Sequence, residues 1–381
     1  LMKKLILVAG ARPNFMKIAP LMHALEGNKN IKPVLVHTGQ HYDVKMSGQF
    51  FEELNIPAPD INLEVGSASH AVQTARIMES FERVCINEKP DFVMVVGDVN
   101  STAACTMVAA KIEGITAIHY EAGLRSNDRT MPEEINRLVT DAISDIFFTT
   151  SADADENLLR EGVGHEKIFM VGNLMIDSLF ANLQKAEKTN LTFSLLNRNK
   201  EISINKTSCN SVLSAANYGA MTFHRPSNVD DEKSLRELVR IWGVISEKIP
   251  LVFPVHPRTY KNIQKFGLQQ EIDKYENLFF IEPLGYLQFA NLVKNAKFAL
   301  TDSGGIQEET TCLNIPCLTV RPNTERPVTV WEGSNKLIKI NEIETEIDLI
   351  LAGKGKQGHI PKFWDGKTAE RIIEVLEKIF C

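Results

Sequence analysis

Residues 91–123 read DFVMVVGDVNSTAACTMVAAKIEGITAIHYEAG. Two short apolar runs, DFVMVVGD and ITAIHYEAG, flank the helical pattern STAACTMVAAKIEG. Strand, crossover helix and strand in succession are the mark of a parallel sheet with helices on both faces. The alternation extends in both directions. KLILVAG, KPVLVHTG, DIFFTTS and KIFMVGN are strand-like, while NFMKIAPLMHALEG and HAVQTARIMESFERVCINE carry a helical period. It breaks at 189–216, TNLTFSLLNRNKEISINKTSCNSVLSAA, a polar, Asn- and Ser-rich stretch that reads as a loop or insertion. Beyond it YGAMTFHRP, PLVFPVHP, NLFFIEPL, FALTDSGG and PCLTVRP resume the pattern.

A chain of 381 residues is too long for one compact core. The expectation is an α/β protein of two doubly wound domains facing a cleft, with the seam near 173–190. The domains are taken as 1–175 and 176–365. The last helix, TAERIIEVLEKIF, fits either domain by pattern alone. Ligands of open parallel sheets bind outside the carboxyl ends of the strands.

A net charge of -6 gives no general reason to bind nucleic acid or an anionic membrane, so any anion must be held by a local cluster. The six cysteines, at 85, 105, 209, 312, 317 and 381, show no CxxC pair, which suits reduced thiols and a cytoplasmic enzyme. LMKKLILVAG is read as a first strand rather than a secretion signal, because charge resumes at once in ARPNFMK. No apolar segment nears the roughly 18–20 residues that cross a bilayer.

The chemically suggestive residues gather at strand ends. AGARPNFMK places Arg12 and Lys17 around a turn into a helix, either solvated or holding an anion; no GxGxxG accompanies them. Asp98 in VVGDVNST, taken alone, is a helix cap. Glu121 follows the apolar run ITAIHY, with Arg125, Arg129 and Arg137 behind it. Glu121 and Glu133 suit paired acid–base carboxylates, whereas Glu134 suits the helix dipole and Glu133 with Arg137 an ordinary surface pair. MTFHRPSN and FPVHPRT bring His224 with Arg225 and His256 with Arg258 to two further strand ends. In ALTDSGGIQEET, Ser303, Gly304 and Gly305 open a helix whose N–H groups can face a phosphate. Glu309, a turn later, can accept from ribose hydroxyls, and Arg326 in NTERPVTV can meet phosphates. No HxH or HExxH motif suggests a metal.

In their order, GARPNFMKIAP, TGQHYDVKMS, GDVNST, HYEAGLRS, MPEEINR, HRPSN, HPR, DSGGIQEE and TERP resemble the non-hydrolysing UDP-N-acetylglucosamine 2-epimerase family. The resemblance implies a GT-B-like pair of Rossmann-like domains, with the last helix, 366–381, returned to the N-terminal one. It implies reversible inversion at C2 of a UDP-sugar, by elimination of UDP to a 2-acetamidoglucal and re-addition, for polysaccharide precursors. No cofactor, nicotinamide or metal is implied. By motif, Asp98, Glu121, Glu133 and His224 match the catalytic group. Arg12, Lys17 and His256 match substrate contacts. Ser303, Gly304, Gly305, Glu309 and Arg326 match UDP contacts, and Phe289 a residue beside the uracil.

Asn14 stands where several enterobacterial-type members have Glu, and QHYDVKMS departs from their pattern in a region linked to a regulatory second nucleotide-sugar site. QHYDVKMS and RTMPEEINR also resemble epimerases of UDP-diacetamido-glucuronate, the alternative substrate. A UDP-dependent glycosyltransferase or an inactive nucleotide-sugar sensor are the rival classes. The expected partners are a UDP-sugar and a second copy in a homodimer, with no nucleic acid and no membrane.

Overall fold

The computed structural model describes residues 2–39, 55–196, 198, 200–204 and 211–380. The chain divides into two compact units, Leu1–Ala181 with Lys362–Cys381, and Asn182–Pro361.

The first unit is built on β1 (Lys3–Ala9), β2 (Ile31–His37), β3 (Ile61–Asn62), β4 (Phe92–Val96), β5 (Thr116–Tyr120), β6 (Ile146–Thr149) and β7 (Ile168–Met170). The sheet order is β3-β2-β1-β4-β5-β6-β7 and every pairing is parallel. On one face Ile6, Val8, Val34, Val36, Val93 and Val95 pack against Ile77, Phe81 and Val84 of the helix His70–Glu88. Leu5, Leu7, Leu35 and Met94, alternating with them, are also fully buried. Burial on both faces is why these strands read as unbroken apolar runs. Strand order reverses between β1 and β4, the place where such sheets take ligands. The helix Thr368–Phe380 packs within this unit. Ala369 N–H donates to Asp177 Oδ2 at 2.8 Å, and Asn28 and Asn30 donate to Glu377 Oε1 at 3.1 and 3.0 Å.

The second unit opens with β8 (Thr192–Ser194), β9 (Glu201–Ile204) and β10 (Ser211–Leu213). Its main sheet follows: β11 (Gly219–Thr222), β12 (Leu251–Pro254), β13 (Leu278–Ile281), β14 (Phe298–Thr301), β15 (Cys317–Val320) and β16 (Asn335–Ile338). The order β13-β12-β11-β14-β15-β16 repeats the first unit's winding, again all parallel, with the reversal between β11 and β14.

The stretch 189–216 corrects the sequence reading. Its described part is not a loop but a three-stranded sheet, β10-β9-β8, with one antiparallel and one parallel pairing. Leu191, Phe193 and Leu195, then Ile202 and Ile204, are buried at every second position and pack with Val252, Phe279 and Ile281. That two-residue period is masked in the sequence by the Asn and Ser between. Strand β16 also escaped the reading. It has four residues, and Asn335 within it is buried by bonds to Gln307 Oε1 (3.0 Å), Thr329 Oγ1 (3.1 Å) and Thr319 Oγ1 (2.7 Å). Among the described residues no helix is long and apolar enough to cross a membrane.

Candidate active site

At the first unit's reversal, β1 runs into Gly10–Arg12 and β4 into Gly97–Asp98. Asn14 ties the two ends together: its Oδ1 accepts from Gly10 and Ala11 N–H (3.1 and 2.9 Å), and its Nδ2 donates to Val96 O (2.9 Å). One turn on, Lys17 Nζ reaches Glu121 Oε2 at 2.6 Å, with both side chains buried. Glu121 has φ 69°, a left-handed conformation that L-residues other than glycine avoid. Such strain persists only where surrounding contacts hold it, and it concentrates at functional sites. Gly97, at φ 74°, lies against this pair. A Cβ there would stand 3.3 Å from Asn14 Nδ2, 3.4 Å from Lys17 Nζ and 3.5 Å from Glu121 Oε2.

Asp98 is partly exposed, and its Oδ2 accepts from Arg137 Nη2 at 2.6 Å and Nε at 3.1 Å. Asn136 donates to its carbonyl at 2.9 Å. Asp98 is therefore held by the helix Pro132–Ile143. The surface pair expected of Arg137 with Glu133 is corrected. Arg137 is 2 % exposed and is shared between Asp98 and the buried Glu134. Glu134 accepts from Ser126 and Asn127 N–H, both at 2.9 Å. Burial alone would raise its carboxyl, but these N–H groups and Arg137 outweigh burial and hold it below the usual carboxylate range. Glu134 is thus structural, as the sequence suggested, though it braces a loop rather than only complementing a dipole. Glu133 is exposed on the first turn of the same helix. Arg12 is the first residue of the helix Arg12–Leu25; its side chain, like the motif QHYDVKMS, lies outside the described residues.

In the second unit Asp302, 0 % exposed at the end of β14, organises the reversal. Its carboxylate accepts from His224 N–H (3.1 Å), Arg225 N–H (3.0 Å) and Asn228 Nδ2 (3.0 Å), and Arg225 Nε donates to its carbonyl (2.9 Å). His224 and His256 rings lie 5.3 Å apart. Burial lowers the pKa of both; Asp302 opposes the shift on each, while Arg225 and Arg258 for His224, and His224 and Arg258 for His256, add to it. Both rings are therefore neutral at pH 7, and able to accept a proton or a hydrogen bond.

Ser303 stands at the N-terminal cap position of the helix Gly304–Leu313, its side chain making no capping bond. A Cβ on Gly304 would lie 2.8 Å from Glu325 Oε1, so this helix start admits only glycine without a shift. Glu325 is held by Arg321 (3.0 Å) and Arg326 (3.5 Å), and Arg326 Nε reaches Glu308 Oε1 at 2.7 Å. Glu309 is buried. Its pKa is pushed up to about 8 by burial and then by Glu308, against a hydrogen bond from the Tyr286 hydroxyl. Phe289 packs against Ile306 of this helix, with Ala299 and Cys317. Among the described residues no group of three or more His, Cys, Asp or Glu could hold a metal ion.

The structure thus gathers Lys17, Asp98 and Glu121 at one strand-end cluster, His224 with His256 at another, and Ser303, Gly304, Glu309, Arg326 and Phe289 on or beside one helix. Gly305 sits on that helix with open space at its Cβ position. Glu133 stands apart on its exposed turn. Asp302, Asp141, Glu308 and Tyr286 were not singled out from sequence. Asp302 had a usable signal: like Asp98, it is an aspartate directly after an apolar strand.

The family model of UDP-N-acetylglucosamine 2-epimerase matches residues 23–377. A UDP-N-acetylglucosamine 2-epimerase of Methanocaldococcus jannaschii is 42% identical over 98% of each chain. A crystal structure of the M. jannaschii enzyme with UDP-GlcNAc and UDP superposes with a TM-score of 0.83 at 39% identity, covering 98% of this chain and 99% of that one. A UDP-2,3-diacetamido-2,3-dideoxy-D-glucuronate 2-epimerase of Pseudomonas aeruginosa is 36% identical over 99% of this chain and 100% of its own. A lipopolysaccharide galactosyltransferase, 13% identical with a TM-score of 0.55 over 99% of each chain, shares the fold alone: two Rossmann-like α/β units of GT-B-like type. With nearly its whole length matched, the chain belongs to the UDP-N-acetylglucosamine 2-epimerase family.

Proposed function

We propose that the protein interconverts UDP-N-acetylglucosamine and UDP-N-acetylmannosamine. The observation that carries this reading is Glu121. It is a buried, left-handed glutamate at a strand end, 2.6 Å from Lys17 and beside Gly97–Asp98. The C2 hydrogen of the substrate is barely acidic, so breaking the anomeric bond must lead. The C1–O bond to UDP breaks with its electron pair on the phosphate, and C1 gains oxocarbenium character that the carboxylates stabilise. A carboxylate then takes the C2 proton and the C1–C2 double bond of a 2-acetamidoglucal forms. Re-addition of UDP at C1 and of a proton at the opposite face of C2 completes the inversion. Asp98, Glu121, Glu133 and His224 are proposed for the proton and charge steps. Arg12, Lys17 and His256 are proposed to hold the substrate. Ser303, Gly304, Gly305 and Arg326 are proposed for the phosphates, Glu309 for the ribose and Phe289 for the uracil. The reading employs no nicotinamide and no metal.

The decisive experiment is turnover of UDP-N-acetylglucosamine in D₂O. UDP-N-acetylmannosamine bearing deuterium at C2, and label in recovered substrate, are the expected results. A hydride-transfer enzyme would keep the original hydrogen, and a glycosyltransferase would leave C2 untouched. Labelling of UDP-diacetamido-glucuronate with UDP-N-acetylglucosamine ignored would transfer the function to the sugar of the P. aeruginosa relative. No label in either sugar would end the elimination reading. A cytoplasmic homodimer supplying polysaccharide precursors completes the proposal. Cys85, Cys105, Cys312 and Cys317, all buried free thiols, fit a reducing compartment. Sedimentation giving only a monomer would remove the dimer.

A further inference from the structure

Glu121 keeps a backbone conformation that its side chain disfavours, and something must hold it there. Asp141, on the helix Pro132–Ile143, is buried below the turn that follows β5. Its Oδ1 lies 2.6 Å from His119 Nδ1, two residues before Glu121. Its Oδ2 accepts from Gly123 N–H, two residues after it, at 3.0 Å, and lies 2.7 Å from Arg125 Nη2, four residues after it. One carboxylate therefore grips the chain on both sides of Glu121. His119 extends the grip. Its Nε2 lies 2.9 Å from Gly97 O, the carbonyl next to Asp98. Both ring nitrogens thus face acceptors, a carboxylate and a carbonyl, so the ring is fixed in orientation from both ends. On the far side Arg125 is shared with Glu161 at 2.6 and 2.8 Å. Arg125, paired with both Asp141 and Glu161, gives the buried Asp141 carboxylate a counter-charge, which makes its burial tolerable. Gly123 approaches so closely that a Cβ would meet Ala154 O at 2.2 Å, leaving the turn no slack.

We propose that Asp141, acting through His119 and the 123–125 turn, is a positioning residue that holds Glu121 in its reactive conformation. The proposal rests on the reading of Glu121 as an acid–base group. Burial by itself would raise the Asp141 carboxyl, but His119, Arg125 and Gly123 N–H overcome it and hold it below the usual range. The clamp therefore stays ionised across the neutral range in which the enzyme is assayed. Asp141 and His119 are both buried and neither touches substrate in this scheme; their effect is carried by the placement of Glu121 and Gly97.

The test compares two aspartates that hold the same strand. Asp145 Oδ2 accepts from Ala117 N–H at 2.9 Å, at the opposite end of β5 from Glu121. Asp141→Asn should lower kcat roughly 10- to 100-fold with KM and UDP affinity held within about twofold. Asp145→Asn should lower the melting temperature while leaving kcat within about twofold. Asp141→Glu, which keeps the charge, should recover part of the lost kcat. If Asp141→Asn does not fold, His119→Gln, which can still donate once, should show the same split between kcat and KM. In the Glu121→Gln background, Asp141→Asn should cost no more than about threefold, because the residue it positions is already disabled. Additive losses, or a kcat for Asp141→Asn matching that of Asp145→Asn, would overturn the clamp. An impaired Glu121→Gln beside an unimpaired Asp141→Asn sinks the clamp alone. A normal Glu121→Gln sinks the catalytic reading of Glu121 and the clamp with it.

Discussion

The two units wind their strands in the same order and place their key residues at the same reversal, β1/β4 in one and β11/β14 in the other. The chemistry there differs in which groups carry charge. The first unit's reversal is built from ion pairs, Lys17 with Glu121 and Arg137 with Asp98. At the second, burial lowers the pKa of His224 and His256 and raises that of Glu309 to about 8, so these groups are neutral at pH 7. Topology supplies a location twice; side chains decide what each location can do. Charged carboxylates suit proton removal, and neutral, desolvated histidines and Glu309 beside the cationic Arg326 suit the recognition of a sugar nucleotide.

If that division is right, the largest effect belongs to the first unit. Glu121→Gln keeps the side chain's shape and should lower kcat by about 100-fold or more, the range lost with a general acid–base group. UDP affinity, measured by calorimetry, should stay within about threefold. Arg326→Ala should invert the pattern, weakening UDP binding roughly 10- to 100-fold while kcat at saturation changes little. It should also lower the melting temperature, because Glu308 is left buried without its 2.7 Å partner. An Arg326→Ala variant with normal UDP affinity and collapsed kcat would erase the contrast between the units.

A smaller effect sharpens the first unit's side. Gly97→Ala puts a methyl group at φ 74° and within 3.3–3.5 Å of Asn14, Lys17 and Glu121. The strain costs about 1 kcal/mol, and the crowded Lys17–Glu121 pair must shift. A several-fold drop in kcat with a modest fall in melting temperature is expected; unchanged turnover would show that the pair tolerates displacement.

Much of this was legible in the sequence, for physical reasons that also mark the limit. Strands buried on both faces spell themselves out as apolar runs, so β1, β4, β5, β11 and β14 could be read directly, and the residues that follow them became the candidates. Partnership could not be read. Lys17 and Glu121 are 104 positions apart, and nothing in AGARPNFMK or HYEAGLRS says that they meet. Arg137 looked like a surface charge because a helix's buried side is hard to recognise when it carries ions rather than leucines. The small sheet of β8, β9 and β10 was hidden because only alternate residues face the core and those between are polar. Asp302 has no local signature of its role, because it organises backbone N–H groups of a strand end far away in sequence.

The smallest effect expected lies with Glu309. Its carboxyl has a folded pKa of about 8 against an unperturbed 4.5. Below pH 4.5 it is protonated in the folded and unfolded chain alike, and its contribution to stability is fully present. Between 4.5 and 8 the unfolded chain releases the proton while the folded chain keeps it, so stability falls as pH rises. Most of the loss accrues below pH 7, and the step from pH 7 to pH 8 should remove about 1 kcal/mol more. Glu309→Gln has no proton to lose. The difference in unfolding free energy between the variant and the parent protein should therefore drift in the variant's favour across that step. The neighbouring groups are common to both proteins and cancel in the comparison. His224 and His256 also lie below this range, and Tyr286 titrates well above it. A denaturant titration at the two pH values resolves a change of this size. Parallel pH profiles for the two proteins would mean that Glu309 is ionised in the folded state, and the contrast drawn at Glu309 between the two units would fall.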